Sequence, residues 1–257
     1  VAFASANINK GIAVIRPPQG EWVDEDMVKT LFNQAGLTEW TFEKDDGIGL
    51  RTALYTIMDS MAEELQMVEQ QPLVVPIDQH FNVKGIGLVA IGYVQSGSVS
   101  VHDEITMLPS GGTGSVKSLQ VMDDDVPKAG AGDRVGIALR NAKEESLSGT
   151  CLIVLPELED KRKDIHRPLA LESHSLSQMS LNVSPFQKRK LTVGDVLHAS
   201  IDLQFVVGRV ETIDGGVGTV RWETPLLQRI ENPPSILIAQ LDSKPRIMGD
   251  ANLTKLE

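Results

Sequence analysis

Cysteine is all but missing from this chain of 257 residues, and aromatic side chains make up only 4% of it. The one thiol, Cys151, has no partner for an internal disulfide and stands in the apolar run CLIVL, where it reads as a small buried hydrophobe. No stretch approaches the roughly 20 apolar residues that a membrane span needs, and the opening VAFASANINK lacks a signal-peptide layout. Together with the cysteine usage, this leads us to expect a cytoplasmic protein with no membrane contact. The histidines, His80, His102, His166, His174 and His198, include neither an i,i+4 pair nor a neighbouring cysteine, so zinc-type spacing is absent and no metal is expected. A Gly-x-Ser-x-Gly elbow is also missing, and no catalytic residue can be assigned.

The net charge of −11 argues against a general phosphate-binding surface, but the average hides a gradient. Residues 1–70 carry five basic against twelve acidic side chains, 71–155 six against nine, and 156–257 thirteen against fourteen. More than half of the cations therefore lie in the last segment. Three of them, Lys188, Arg189 and Lys190, follow Ser184-Pro185 in what reads as an exposed loop. They are the candidate RNA contacts, although a charge run is as readily a solvated face.

Along the chain the grammar changes once. VAFASA followed by Asn7 reads as the end of a helix with Asn in the left-handed closing position, and with no initiator Met the sequence is expected to be a fragment of a longer chain. GIAVI, residues 11–15, suits a strand buried on both faces. Asp24 is a helix N-cap ahead of Met27, Val28, Leu31, Phe32 and Ala35, closed by Gly36. A strand at Trp40 to Phe42 and a helix over Gly47–Leu65, with an apolar stripe of Leu50, Ala53, Leu54, Ile57, Met58, Met61 and Leu65, complete what looks like part of a parallel α/β unit.

From Gln71 onward the sequence is short β-branched runs separated by Gly, Ser, Asp and Pro. Expected strands are Leu73–Ile77, Leu88–Gln95, Glu104–Leu108, Ser115–Met122, Arg134–Leu139 and Cys151–Leu155, enough for one closed antiparallel barrel. A charged, Pro-bounded linker, PELEDKRKDIHRP, follows at 156–168. A second barrel is expected from Leu169–Ser175, Val196–Gln204, Val207–Ile213, Val217–Glu223, Ile236–Gln240 and Leu253–Leu256. The fold class is thus multi-domain: a partial α/β module at 1–70, a barrel at 71–155 and a barrel at 156–257.

Three patterns imitate functional motifs. GGTGSVKS, residues 111–118, is one residue from a phosphate-binding loop, but VKSLQVMDD alternates like a strand where such a loop must enter a helix. GIGLVA, residues 85–90, fits a relaxed dinucleotide fingerprint and also runs into a strand. Asp123-Asp124-Asp125 lacks the later Gly and bidentate Glu of a calcium loop and reads as a solvated turn.

Residues 72–154 resemble domain 2 of elongation factor Tu. The likeness rests on PLVVPIDQHFNVKGIGLVAIGYVQSGSVSVHDEI, with its Pro-Ile-Asp strand, Gly-x-Gly turn and Gly-x-Val-x-x-Gly ending, and on the AGAGDRVGIALR segment with its return strand. Gly85, Gly87, Gly97 and Gly132 fall at its turns. The third module is similar to domain 3 of the selenocysteine-specific factor, through Gly208-Arg209-Val210-Glu211 and PRIMGDANL. Archaeal selenocysteine-factor-like members that have lost their nucleotide motifs fit best.

The resemblance makes residues 1–70 the back half of a degenerate GTPase-like module. The family's Asn-Lys-x-Asp, whose carboxylate pairs with guanine, is replaced by Arg16-Pro17-Pro18-Gln19, and its Ser-Ala by Phe42-Glu43-Lys44. No cofactor is therefore expected, and GTP only if residues upstream restore a site. Arg140 matches the Leu-Arg beside the family's pocket for the aminoacylated 3′ end of tRNA; the alternative is a strand-end Arg paired with Glu144 or Glu145. Where elongation factor Tu carries Gly-Arg-Gly-Thr, this chain has Gly85-Ile86-Gly87-Leu88, one cation fewer.

The resemblance implies a non-catalytic translation-factor relative that binds tRNA, ribosome or another translation protein. Two alternatives stay open: an active GTP-binding factor whose phosphate loop lies upstream, and a protein-interaction scaffold with no RNA role.

Overall fold

The computed structural model describes residues 2–6, 8–160 and 165–256. It opens with a small α/β portion: α1 (Ala2–Ser5), β1 (Lys10–Ala13), α2 (Glu25–Gln34), β2 (Glu39–Phe42) and α3 (Gly47–Glu69). Asp24 caps α2 by accepting from the Met27 amide at 3.0 Å, and Asp46 caps α3 by accepting from the Ile48 and Gly49 amides. Helix α3 runs past Leu65 to Glu69 because nothing before Pro72 breaks it. The position expected of Asn7 lies outside the described residues.

Strands β1 and β2 pair in parallel, and Trp40 organises the layer. Its ring lies 5.2 Å from Phe3 and 5.7 Å from Phe32, and its Nε1 donates to the Ile8 carbonyl at 3.0 Å. A Cβ on Gly11 would sit 2.5 Å from that ring, so β1 can cross beneath Trp40 only as glycine. The expectation of a doubly buried strand over GIAVI is corrected. Pairing stops at Ala13, and Lys10–Ala13 are all half-buried, because β1 has a strand neighbour on one side only. Among the described residues of this portion only Ser5 and Leu37 are buried. The stripe on α3 is split: Leu50, Ala53, Ile57 and Met61 are half-buried, whereas Leu54, Met58 and Leu65 are exposed.

The first barrel is built from β3 (Val75–Val83), β4 (Gly87–Tyr93), β5 (Ser98–Ser100), β6 (Glu104–Leu108), β7 (Gly112–Val121), β8 (Asp124–Val126), β9 (Lys128–Gly130), β10 (Arg134–Arg140) and β11 (Cys151–Val154). The ring runs β3–β4–β10–β7–β6–β11 and returns to β3, antiparallel throughout. Val135, Ile137 and Leu139 of β10 point inward at alternate positions and meet Ile105, Met107, Leu119 and Ile153 in the core. The four turn glycines named above all have positive φ. Strand β3 extends to Val83 rather than Ile77, and the three-residue strands β5, β8 and β9 are too short for alternation to reveal.

Residues 156–168 are more than a linker. β12 (Leu158–Asp160) and β13 (Ile165–Arg167) pair antiparallel, and residues 161–164 lie outside the described residues.

The second barrel closes in the order β14 (Leu171–Val183), β17 (Val217–Arg229), β16 (Gln204–Asp214), β15 (Val196–Ile201), β18 (Ile236–Ala239) and β19 (Ile247–Lys255). The expected single strand Val196–Gln204 is cut by a turn at Asp202-Leu203, where φ is +45° and +57°. Two left-handed residues match the right-handed twist of the hairpin, a geometry that Asn-Gly usually supplies. Side-chain clasps replace the glycine. Asp202, 4% exposed at its side chain, accepts from Arg229 Nε and Nη2 at 3.1 and 3.0 Å. Gln204 bonds both the amide and the carbonyl of Leu227, at 2.9 and 2.7 Å.

Strands β14 and β17 are much longer than expected: on β14 the buried positions 174 and 177 are polar, and β17 continues through an exposed Pro225. Ser177 Oγ accepts from Trp222 Nε1 at 2.9 Å and lies 3.1 Å from His174 Nδ1, all in the interior. Trp222 lies against Gly208, where a Cβ would come within 2.6 Å of the ring.

Strand β11 joins the barrels. Cys151 and Ile153 face the first core, and the Cys151 thiol is pushed up to about 12 by burial. Leu152 and Val154, on the opposite face, pack with Val74 against Ala170, Leu171 and Leu227 of the second barrel. Leu152 is 0% exposed, so Leu152→Ala should leave a cavity between the barrels and lower stability by about 2–5 kcal/mol in urea unfolding. The equivalent truncation at exposed Ile86 should stay within about 0.5 kcal/mol.

Candidate functional sites

The first site is the carboxyl end of the β1–β2 pair, where a parallel sheet places its ligands. Ala13, Ile15, Phe42, Glu43, Lys44 and Asp45 line a hollow of about 320 Å³ there, with Glu25 and Lys29 of α2 at its side. Arg16 donates to Asp45 at 2.5 Å across the two strand ends, and the Lys29 ammonium stands 5.8 Å over the Phe42 ring. Of the charges here, Arg16 and Asp45 are turned toward each other.

The second site is the loop from Ser184 to Asp195, between β14 and β15. Ser184 is anchored by its amide on the Met248 carbonyl at 2.8 Å, and Gln187 Nε2 donates to the Pro245 carbonyl at 2.9 Å. Arg189 donates to Asp195 at 2.8 Å and to Asp242 at 3.4 Å. Asp195 also accepts from the Thr192 amide at 2.8 Å. Burial works against the Asp195 charge, but the Thr192 bonds and the Arg189 guanidinium outweigh it and hold the carboxyl below the usual range. Lys188 and Lys190 are exposed, and among the described residues neither meets a carboxylate. The three cations are thus not equivalent: Arg189 staples the loop, and the two lysines project from it.

Residues 87–153 match the family described as Elongation factor Tu domain 2. Over 150 residues the chain is 33% identical to a selenocysteine-specific elongation factor of Methanocaldococcus jannaschii, a match covering 58% of this chain and 31% of that protein. This chain is a relative of the translation elongation factors. An uncharacterized protein of the same organism is 28% identical over 214 residues, 83% of this chain and 62% of its own length. A bacterial selenocysteine-specific elongation factor superposes with a TM-score of 0.77 over 97% of this chain and 40% of that structure, at 20% identity, which is a likeness of fold. The chain spans less than two thirds of the length of each of these relatives.

On the elongation-factor barrel, Arg140 ends β10 opposite Ser115 of β7, exposed. It does not pair with Glu144 or Glu145: among the described residues no carboxylate reaches it, and Glu144 accepts instead from Asn82 at 2.8 Å. A cation that sequence reasoning missed stands nearby. Lys117, the extra residue at a bulge of β7 between Val116 and Ser118, donates its ammonium to the Ile86 carbonyl at 2.7 Å. It reaches the very turn at which the family's arginine is lacking. The signal was the lysine of GGTGSVKS, read only as part of a false phosphate loop.

The imitations fall into place. Residues 112–121 are a strand, and 87–93 are another. Asp125 accepts from Gln120 at 3.0 Å beside a turn with positive φ at Met122 and Asp123. One Ser/His/acid row does form, with Glu172 Oε1 3.2 Å from His174 Nε2 and Ser177 beyond, but His174 and Ser177 are 0% exposed and the hydroxyl is tied to Trp222. No substrate can reach it.

Because the folded Asp195 carboxyl is held below its unfolded value of about 3.9, the staple contributes fully above that pH and is lost as pH falls through the depressed folded value. Hydrogen exchange at the Thr192 amide should be flat between pH 5 and 8 once corrected for intrinsic rates. Asp195→Asn should weaken its protection roughly 10- to 100-fold, the worth of one hydrogen bond to a charged group.

Proposed function

We propose that this chain is a non-catalytic relative of the translation elongation factors that contacts RNA through the Ser184–Asp195 loop. The observation that carries the reading is the pair of unpartnered, exposed lysines, Lys188 and Lys190, on a loop fixed at both ends. In a chain of net charge −11, a rigidly displayed cationic pair stands out against its surroundings. Arg140 and Lys117 give the first barrel a second cationic spot, on the face where the family resemblance puts the tRNA 3′ end. Transfer RNA, or ribosomal RNA, is the class of partner that fits both.

Loss of guanine recognition is part of the same proposal. Arg16–Asp45 occupies the strand ends with an internal ion pair, where recognition needs a carboxylate free to pair with the base edge. Titration with a fluorescent GTP or GDP analogue should show no saturation below about 0.1 mM. Micromolar saturation would restore the reading as an active GTP-binding factor.

The scaffold reading has one specific observation in its favour, the uncovered Leu54, Met58 and Leu65 on α3. Salt-dependent RNA binding separates it from the first. Each phosphate contact releases condensed counterions, so Lys188→Glu with Lys190→Glu should flatten the dependence of log affinity on log salt by about 1.4 to 1.8 units. Arg189→Glu should act differently, loosening the loop by opposing Asp195 and Asp242. No RNA retention at low salt, or an unchanged slope in the double variant, would move the scaffold reading to the front.

A further inference from the structure

The Ser184–Asp195 loop roofs a slot of about 340 Å³ at one end of the second barrel. Met179 and Met248 form its floor, at 1% and 0% exposure, and both belong to the barrel core. The slot therefore ends on the outer side of the core. Leu181 and Leu191 also line it, together with Lys188, Arg189 and Lys190 of the loop, whose lysines are exposed.

Part of the space exists because position 218 is glycine. A Cβ there would meet Met179 Cε at 3.7 Å, an ordinary contact, and the backbone at that position has no left-handed strain. A larger side chain could grow into the slot without disturbing β17. The rim chemistry is one-sided. Asp195 and Asp242, the acids of the loop region that could neutralise it, are already engaged by Arg189. Apolar walls with a few charged groups at one end are the layout that orients a small amphiphile, tail inward and head outward. Methionine floors add adaptability, since an unbranched thioether can shift to fit a chain.

We propose that this slot is a binding site for a small amphiphilic anion, an unbranched aliphatic chain bearing a carboxylate, with the chain on Met179, Met248 and Leu181 and the head between Lys188 and Lys190. The site shares Lys188 and Lys190 with the RNA reading, and Gly218, which lines the slot but not the loop, separates the two.

The test is calorimetric titration of the protein with hexanoate, octanoate and decanoate below their micelle concentrations, alongside decyltrimethylammonium. A buried methylene is worth roughly four-fold in affinity, so each step of two carbons should tighten binding roughly 15-fold until the slot is full. The decyl cation should bind at least ten-fold more weakly than decanoate. Gly218→Leu should abolish decanoate binding while leaving the unfolding midpoint and RNA retention unchanged, and Lys188→Gln with Lys190→Gln should weaken the acid but not decanol. Should Gly218→Leu prove unstable, the methyl resonances of Met179 and Met248 in the unaltered protein decide, since both must shift on titration with decanoate. Affinity independent of chain length, equal binding of the cation, or unmoved methionine methyls would overturn the proposal.

Discussion

Everything in the two-barrel body depends on one strand that has no solvent side. β11 lies between β3 and β6 in the first ring and also forms the wall against which the second barrel rests. Its four residues, from Cys151 to Val154, are at most 2% exposed. A strand in an antiparallel barrel ordinarily alternates apolar and polar. This one cannot, because Leu152 and Val154 would otherwise carry polar groups into the contact with Ala170, Leu171 and Leu227 with no partner to satisfy them. The relative position of the barrels is therefore set by apolar packing through a shared wall. Of the charged stretch 156–168 that connects them in sequence, the described strands Leu158–Asp160 and Ile165–Arg167 pair with each other.

The α/β portion is attached by different means. Helix α1 touches β18 and β19 of the second barrel, while at the far end of α3 Glu69 pairs with Lys128 at 2.6 Å and the Val68 carbonyl accepts from Gly97 at 3.0 Å. These are a short helix, an exposed ion pair and a backbone bond, and exposed ion pairs contribute little. Rigidity is thus distributed unevenly: the faces bearing Arg140 and the Ser184–Asp195 loop ride on one packed body, and the acidic portion sits beside it on weaker contacts.

How much of this was legible in the sequence follows from how each element is specified. Strands whose inward positions are Val, Ile or Leu, such as Glu104–Leu108 and Arg134–Arg140, announce themselves by period two. The caps at Asp24 and the four turn glycines were equally plain, since each is a local demand on φ or on an amide. What failed was non-local. LESHSLSQMSLNV hides the length of its strand because His174 and Ser177 are inward-facing, and the donor to the Ser177 hydroxyl, Trp222, lies 45 residues beyond it. The turn at Asp202-Leu203 lacks glycine because Arg229 and Leu227 hold it from another strand. The same limit applied to the sites. Ser184-Pro185 gave away the loop, but that Arg189 belongs to the scaffold depends on Asp242, 53 residues away.

That division between Arg189 and its neighbours is the step on which a functional account of this surface turns. A loop with three free cations would be a flexible brush, able to meet phosphates anywhere and specific for nothing. With Arg189 engaged by Asp195 and Asp242, the loop is tied down at the residue that stands between the two lysines. Fixing the stems lowers the entropy lost on contact, so two placed charges can outperform three loose ones. The Arg16–Asp45 pair uses the same chemistry in the opposite sense. There a cation and a carboxylate pair at the strand ends, with both side chains still half or more exposed. One ion pair leaves its neighbouring lysines without a carboxylate among the described residues, and the other links the two strand ends at which it stands.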